Sequence, residues 1–404
     1  IRRLWTPHRG LTPEGFLRAL SMSFSRRAFK HIVSASAGGV QGGGKVFSTA
    51  RRVGMRGNAK FFSTGGREYP LSEKVHAQGS LGFQIEGGSE VNLEIETENQ
   101  KCDMVEVGIV EGPLESKNFE LVSDGKGGAI LKSQHPVTDP IKVIARIPEK
   151  FSINANTNGG SFKMSRLEGE LALDTMGGSV KIDKINEGPC VIESKGGDVE
   201  VRVLNGDGNI CTSGGRFVSK RISCTNFQAQ AEAGSLDIRA LYSNLVQISG
   251  DNITLGSLHG KSYLEAALGG IVIESGMDGD LDVKTTGGQA DLQLGSSAGN
   301  VCVETQGGDV HLRLPQDLAA NVEARGKRGV LIDEHLKKMI AYTDVSCKEA
   351  SGTVEAQAQT SAARGYTPTK ATVQIDAGEG FVELRGKDWL SSLGSKFQAL
   401  RKLK

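Results

Sequence analysis

The sequence predicts an all-β protein, a right-handed parallel β-helix or solenoid with coils of about 18–20 residues. Three observations predict it. A glycine-pair mark recurs at a steady interval, and apolar residues fall in fixed columns around each mark. The composition also suits short strands and tight turns: 54 glycines in 404 residues, 5% aromatics, and 38% hydrophobic residues drawn largely from small and β-branched types.

The marks are Gly159-Gly160, Gly177-Gly178, Gly196-Gly197, Gly214-Gly215, Gly269-Gly270, Gly287-Gly288 and Gly307-Gly308, with Ala233-Gly234 and Gly250-Asp251 as degenerate members. Their first positions step by 18, 19, 18, 19, 17, 19, 18 and 20. Two residues before the mark stands a hydroxyl in most rungs, as at Thr157, Thr175, Ser194, Thr212, Thr285 and Thr305. Apolar residues occupy the positions four and six before it, and two and seven after its second residue, as at Leu173, Leu171, Val180 and Ile185. A period of two inside each arm means strands with one buried face. A unit this short cannot bury its own face, so coils must stack and add a strand to each of several parallel sheets, about 4.8 Å per coil. Gly-Gly recurs because the corner needs φ > 0 and because stacked corners leave no space for Cβ. The rung at Gly269-Gly270 breaks the pattern by placing Glu265 in an apolar slot. Shifting it by one puts Leu264, Ala266, Leu268, Ile271 and Ile273 inside, which predicts a bulge there.

Around this array (residues 151–332) the sequence divides into four further segments. Residues 1–68 form a basic leader: residues 1–69 hold thirteen Lys/Arg against Glu14 and Glu68, a charge of +11, while the rest carries −10. Such an Arg- and Ser-rich, acid-poor segment has the composition of a mitochondrial presequence and predicts a matrix address. Residues 69–150 read as a β-rich capping region, with clean alternation over Phe83–Glu96 and a degenerate mark at Gly127-Gly128. Residues 333–386 combine a helical patch at Asp333–Ile340, a polar stretch at Ser351–Gly365 readable as loop or strand, and a strand–turn–strand at Thr372–Gly386. Residues 387–404 read as an amphipathic helix, with Trp389, Leu390, Leu393, Phe397, Leu400 and Leu403 on one face and Lys396, Arg401, Lys402 and Lys404 opposite. It serves either as a terminal cap or as a contact with an anionic membrane surface. No apolar run approaches the ~20 residues of a membrane span.

VIARIPEKFSINANTNGG (Val143–Gly160) and VHLRLPQDLAANVEAR (Val310–Arg325) share one formula: an alternating strand, Leu/Ile-Pro, an acid, then a second strand. On these residues the chain resembles the adhesin-like family of bacterial β-solenoid repeats, over roughly 141–332 and as far as Leu384. The resemblance implies a right-handed β-helix-like fold and no catalytic residues. With its leader, the whole chain resembles an animal mitochondrial protein, which again implies a mitochondrial address.

The motifs of chemistry are weak. Asp174, Asp183, Glu193, Asp198, Glu200 and Asp207 are spread one or two per rung, the pattern of a solvated face rather than of the paired carboxylates a glycan lyase or hydrolase needs. The GGD at Gly196–Asp198 and Gly307–Asp309 lacks the nine-residue period of calcium-binding repeats. There is no phosphate-binding loop, and the acidic, aromatic-poor body argues against nucleic acid. His259 and His311 read as solvated or corner residues. Asn252-Ile253-Thr254 forms a sequon with its middle residue in an apolar column. The six cysteines show no metal-ligand spacing and are expected to be free thiols, Cys190 buried among them. No residue is therefore assigned a catalytic, cofactor or metal role. The sequence predicts a non-catalytic scaffold whose protein partners lie along the solenoid faces. Outward residues of the post-glycine strands, such as Lys181, Asp198 and Arg202, are the candidate contacts. The competing reading is a glycan-active β-helix enzyme, and a membrane tether through the last helix is compatible with the scaffold.

Overall fold

Each glycine mark closes a corner, and the strands on either side of it stack in parallel on those of the next coil. The computed structural model of the chain describes residues 69–76, 78–98, 103–112, 118–337, 340–345, 349–354 and 370–387. The leader 1–68 lies outside them. So does the segment 387–404, where the sequence predicts an amphipathic helix, apart from Lys387, which ends a strand.

The regular middle of the molecule runs β8 (Ser152–Asn156), β9 (Phe162–Glu168), β10 (Leu171–Asp174), β11 (Val180–Asn186), β12 (Cys190–Glu193), β13 (Val199–Asn205), β14 (Gly208–Cys211) and β15 (Phe217–Ser219). β16 (Arg221–Ala266) then passes through successive coils without a break, followed by β17 (Ile271–Thr285), β18 (Ala290–Thr305) and β19 (Val310–Pro315). Leu171 of β10 lies between Ile153 of β8 and Cys190 of β12. Val180 of β11 lies between Phe162 of β9 and Val199 of β13. These offsets of 18 and 19 residues equal the mark steps, so the repeat is the stacking period. The register skips Ser165, Asp183 and Arg202, where the post-glycine strand bends. Each coil therefore feeds three short parallel ladders.

The columns become the core. Leu173, Ile192 and Ile210 stack in one ladder, Val180, Val199 and Phe217 in the next, and Ile185, Leu204 and Ile222 in the third, all buried. Full burial of such a side chain is worth about 1.5–3 kcal/mol, and like meets like along the column, so every coil extends one continuous core.

At the irregular rung the shifted register holds: Leu264 pairs with Val283 and Ile271 with Ala290. Leu264, Ala266, Ile271 and Ile273 are buried, while Glu265 and Tyr263 face out. Leu268 does not follow them. It stands at the tip of the corner, 79% exposed. The irregularity also lies elsewhere than the glycines. Leu255 pairs with Ile273 but Ser257 with Gly276, so the extra residue sits at 274–275 in the post-glycine strand.

Both ends depart from sequence order. At the N-terminal end β2 (Ser80–Gln84) lies between β8 and β6 (Ala129–Ser133), and β3 (Val91–Glu98) between β9 and β7 (Ile141–Pro148). The coil 80–98 is thus slotted between coil 129–148 and coil 152–168. Antiparallel strands close the end: β5 (Phe119–Ser123) on β6, β4 (Met104–Glu111) on β7, and β1 (Leu71–Lys74) on β4. At the other end β24 (Ala371–Asp376) lies between β18 and β20 (Ala320–Arg325), and β25 (Phe381–Lys387) between β19 and β21 (Gly329–Ile332). Here coil 371–387 is slotted between coil 301–315 and coil 320–332. A short helix α1 (Glu334–Lys337) leads into β22 (Ile340–Val345) and β23 (Glu349–Val354), which pair antiparallel with each other and, through β23, with β20. The stretch after Ser351 is therefore strand as far as Val354.

Candidate binding surface

The corners come first, because they set what the outer faces can offer. The two glycines of a mark do separate jobs. The first carries the backbone twist: Gly177 has φ +108°, with open space where a Cβ would stand. The second takes the crowding: a Cβ on Gly178 would overlap the Gly160 carbonyl oxygen and lie 2.7 Å from its carbon. The same overlap repeats from Gly178 to Gly197, Gly215 and Gly234, and from Gly269 to Gly288, Gly308 and Gly380. In the later rungs Gly287 and Gly307 have neither positive φ nor crowding, which is why Leu268 is tolerated as the first member of its mark. The buried hydroxyl completes the corner. Thr175 donates to the Gly178 carbonyl at 2.8 Å, and Thr157, Ser194, Thr212, Thr285 and Thr305 do the same in their own coils.

The acids divide into two groups. Some clip one coil to the next. Asp198 accepts from the Arg216 N–H at 2.8 Å, Asp251 from Gly269 at 2.9 Å, Asp280 from Asn300 at 2.8 Å, and Asp309 from Phe381 at 2.9 Å. Asp207 accepts from Thr225 and Asn226; burial pushes its carboxyl up, but these hydrogen bonds outweigh it and hold it below its ordinary value. Asp174 is buried and paired with Lys195 at 2.6 Å. So the GGD motifs are stacking clips. Asp198 and Asp207 stay on the solvated face, held in a fixed place by the backbone N–H groups they accept, and the solvated reading is corrected only for the buried Asp174. Others remain on a wet face, as Asp183 and Glu200 do, both about half exposed.

The outward columns carry ion pairs between neighbouring coils: Lys163 with Glu94, Lys181 with Glu200, Lys284 with Glu304, and Arg313 with Asp291. Exposed pairs of this kind contribute little stability. Of the three contacts expected from sequence, Lys181 is paired, Asp198 is a clip, and Arg202 meets Asp183 at a loose 3.9 Å. Sequence reading missed the residues stacked on Arg202. Lys220 N donates to the Arg202 carbonyl at 3.1 Å, and Ser219 pairs with Ile238, so Lys220 sits beside Arg239. The signal was present, since 202, 220 and 239 follow the mark steps of 18 and 19. A second feature is a shallow groove of about 330 Å³ over the pre-glycine ladder, lined by Lys261, Tyr263, Asp282, Asn300, Cys302 and Gln374. The inserted strand β24 forms one wall of it.

Three of the described thiols are held protonated. Burial pushes the Cys190 thiol up to about 12, and burial also raises Cys224 and Cys302, the latter with help from Asp282 and Glu304. A thiol held protonated is a poor nucleophile. His259 and His311 pair with carboxylates of the next coil rather than lying free in solvent, the first with Asp278 at 3.3 Å and the second with Glu383 at 2.7 Å. Burial pushes the Glu383 carboxyl up, but hydrogen bonds from Arg385 and His311 outweigh it and hold it below its ordinary range. Among the described residues no three His, Cys, Asp or Glu side chains group closely enough to hold a metal ion. No helix among them is long and apolar enough to cross a membrane.

Residues 139–338 match the family described as Toastrack DUF4097. This span covers the regular middle of the stack and coil 320–332, and leaves out the inserted coils 80–98 and 371–387. No curated protein matches the chain. Among solved structures, a Clostridium sporogenes protein provisionally assigned to cell adhesion is 10% identical, over 78% of this chain and 98% of that one, with a TM-score of 0.15. At that TM-score the likeness carries no argument about this chain.

Proposed function

We propose that the chain is a non-catalytic β-solenoid that acts as a binding or scaffolding surface, with its partners along the outer faces of the coils. One observation carries this reading. The side chains a catalyst would need are committed to building the stack: hydroxyls to the carbonyls of their own corners, and Asp198, Asp207 and Asp309 to backbone N–H groups of the next coil. What is left outward is a long, flat, regularly spaced set of polar ladders, and such a set suits recognition by an extended partner. The match to the Toastrack family supports the same reading. The right-handed winding is the hand that crossovers between parallel strands nearly always take.

The basic, nearly acid-free leader supports a mitochondrial address, the matrix in particular. Proximity labelling from the intact protein in cells tests address and partnership together. The expected result is a set of labelled matrix proteins, lost when the outward charges of the middle coils are reversed. Labelling confined to another compartment refutes the address. Turnover of a defined glycan by the purified protein refutes the non-catalytic reading.

A further inference from the structure

We propose that the column Arg202, Lys220 and Arg239, with Arg221 beside it, is a binding site for a linear chain of phosphoryl groups, such as inorganic polyphosphate. This names a ligand class for one face of the scaffold proposed above.

The register builds the site. Arg202, Lys220 and Arg239 occupy one outward position in three successive coils, at the bend of the post-glycine strand. The coil spacing sets them about 4.8 Å apart. Arg221 occupies the neighbouring column, opposite Val203. All four are exposed. Like charges stacked on adjacent strands repel, and elsewhere on this surface each stacked cation is matched by an acid on a flanking coil: Lys163 and Lys181 lie opposite each other, but Glu94 pairs with the first and Glu200 with the second. Here that match is missing. Among the described residues Lys220 and Arg239 make no ion pair, and Arg202 has only the loose contact with Asp183. The nearby acids are already engaged: Asp237 with Arg216 at 2.8 Å, Glu200 with Lys181 at 3.5 Å, and Asp207 with backbone N–H groups. The stack is bounded as well, because the next coil offers Gly256 against Arg239. The result is a short row of unmatched cations on a body whose net charge outside the leader is negative.

The chemistry of the row selects the ligand. Guanidinium forks and an ammonium bind phosphoryl oxygens well. A single-stranded nucleic acid draws much of its affinity from an open aromatic face on which its bases stack. The aromatic at this site has none. The Tyr242 ring is covered by Arg221 from the preceding coil, 5.8 Å from its centroid, and by the His259 ring from the following coil, 4.5 Å away and nearly parallel. A chain of anionic groups without rings fits what remains.

The test uses the full chain and reads each lysine separately, so that the basic leader does not mask the site. Amine-reactive labelling is followed by peptide mass spectrometry, with and without long-chain inorganic polyphosphate. At a tenfold excess over the dissociation constant, labelling of Lys220 should slow about tenfold, while the ion-paired Lys163, Lys181 and Lys284 change little. The double variant Arg202→Ala/Arg239→Ala, with an unchanged thermal melt, should lose most of that protection. Unprotected Lys220 in the unaltered chain overturns the proposal, as does equal protection of Lys181 or protection that survives the double variant. Stronger protection of Lys220 by a single-stranded RNA homopolymer or a sulfated polysaccharide also overturns it, in favour of a ring-bearing polyanion. Failure here leaves the scaffold reading standing, since proximity labelling tests that reading independently.

Discussion

The division of labour within a glycine pair predicts three different outcomes for one chemical change. Consider Gly178→Ala. Its Cβ would lie 2.7 Å from the Gly160 carbonyl carbon and from the Gly159 oxygen, and closer still to the Gly160 oxygen. All three are backbone atoms, so no side chain can swing aside. Bringing even the 2.7 Å contacts out to 3.4 Å, the near edge of ordinary contact, parts the two coils by about 0.7 Å. That motion stretches the bonds joining them at this corner. Thr157 N to Asp174 O, now 3.0 Å, passes 3.6 Å, and Phe162 N to Ser179 O, now 2.8 Å, reaches the limit of a hydrogen bond. Two buried pairs are weakened or lost at about 1–3 kcal/mol each, so the expected cost is about 3–5 kcal/mol. Gly177→Ala meets open space but holds an L-residue at φ +108°, a strain of about 1–3 kcal/mol. Gly307→Ala meets neither obstacle and should stabilise by about 0.4–1 kcal/mol through the unfolded chain. Urea unfolding followed by far-UV circular dichroism measures all three. If Gly177→Ala costs more than Gly178→Ala, or Gly307→Ala costs as much as either, the assignment of separate jobs fails.

The corner hydroxyls predict that Thr175→Val destabilises by about 1–3 kcal/mol, because the buried Gly178 carbonyl loses its donor, while Thr175→Ser costs much less; comparable losses in a urea titration would refute the role. The order of coils at the C-terminal end predicts cross-linking. Gln374 stands between Cys302 and Glu323, so Gln374→Cys should form a disulfide with Cys302, whereas Glu323→Cys, two strands away, should not; the opposite result on non-reducing gels would mean that coil 320–332 stacks directly on coil 301–315. The pH dependence follows from Glu383, whose folded carboxyl titrates below its unfolded value of about 4.3. Its contribution is therefore present above pH 4.3 and is lost as pH falls through the folded value. Glu383→Gln should flatten the acid limb of stability measured by thermal melts, and an unchanged limb would show that the pairing with His311 and Arg385 carries no weight.

What was legible in the sequence was whatever the period itself encodes. Leu171, Leu173, Val180 and Ile185 fall in columns because a strand alternates and a coil repeats, and both facts are local. The rung at Gly269-Gly270 misled because two adjacent glycines look like a mark, when Gly269 is the crowded second member and Leu268 the first. The acids misled for a different reason. Asp174 reads in sequence like the exposed Asp183, and only the fold shows it buried and paired with Lys195 of the next coil. The cation row was readable in principle, since Lys220 and Arg239 follow Arg202 by one coil step each. The end topology was not. Thr372–Gly386 reads as strand, turn and strand, and Val373, Ile375, Val382 and Leu384 fit the columns, but nothing local says which coils they join. The offset from Val301 to Val373 is 72 residues, far outside the repeat.

That offset recurs at the other end, where Leu81 pairs with Ile153, and the shared device has a physical consequence. A parallel solenoid exposes a row of unpaired backbone groups at each end, open to fraying and to pairing with another copy. Antiparallel strands over the outermost coils present the wrong pattern for a further parallel coil, which discourages end-to-end growth. Insertion addresses fraying. In an ordinary stack the last coil peels away by breaking one interface. Here coil 320–332 continues directly from coil 301–315 yet rests on coil 371–387, and Asp309 of the inner coil binds both the Phe381 N–H of the inserted coil and the Arg328 side chain of the outer one. The outer coil can leave without releasing the inserted one, and the inserted one cannot leave without breaking interfaces on both sides. Loop closure over so many residues costs only slowly more with length, so the arrangement is inexpensive in entropy. It holds the ends while the middle coils, free of any capping role, keep their faces open to a partner.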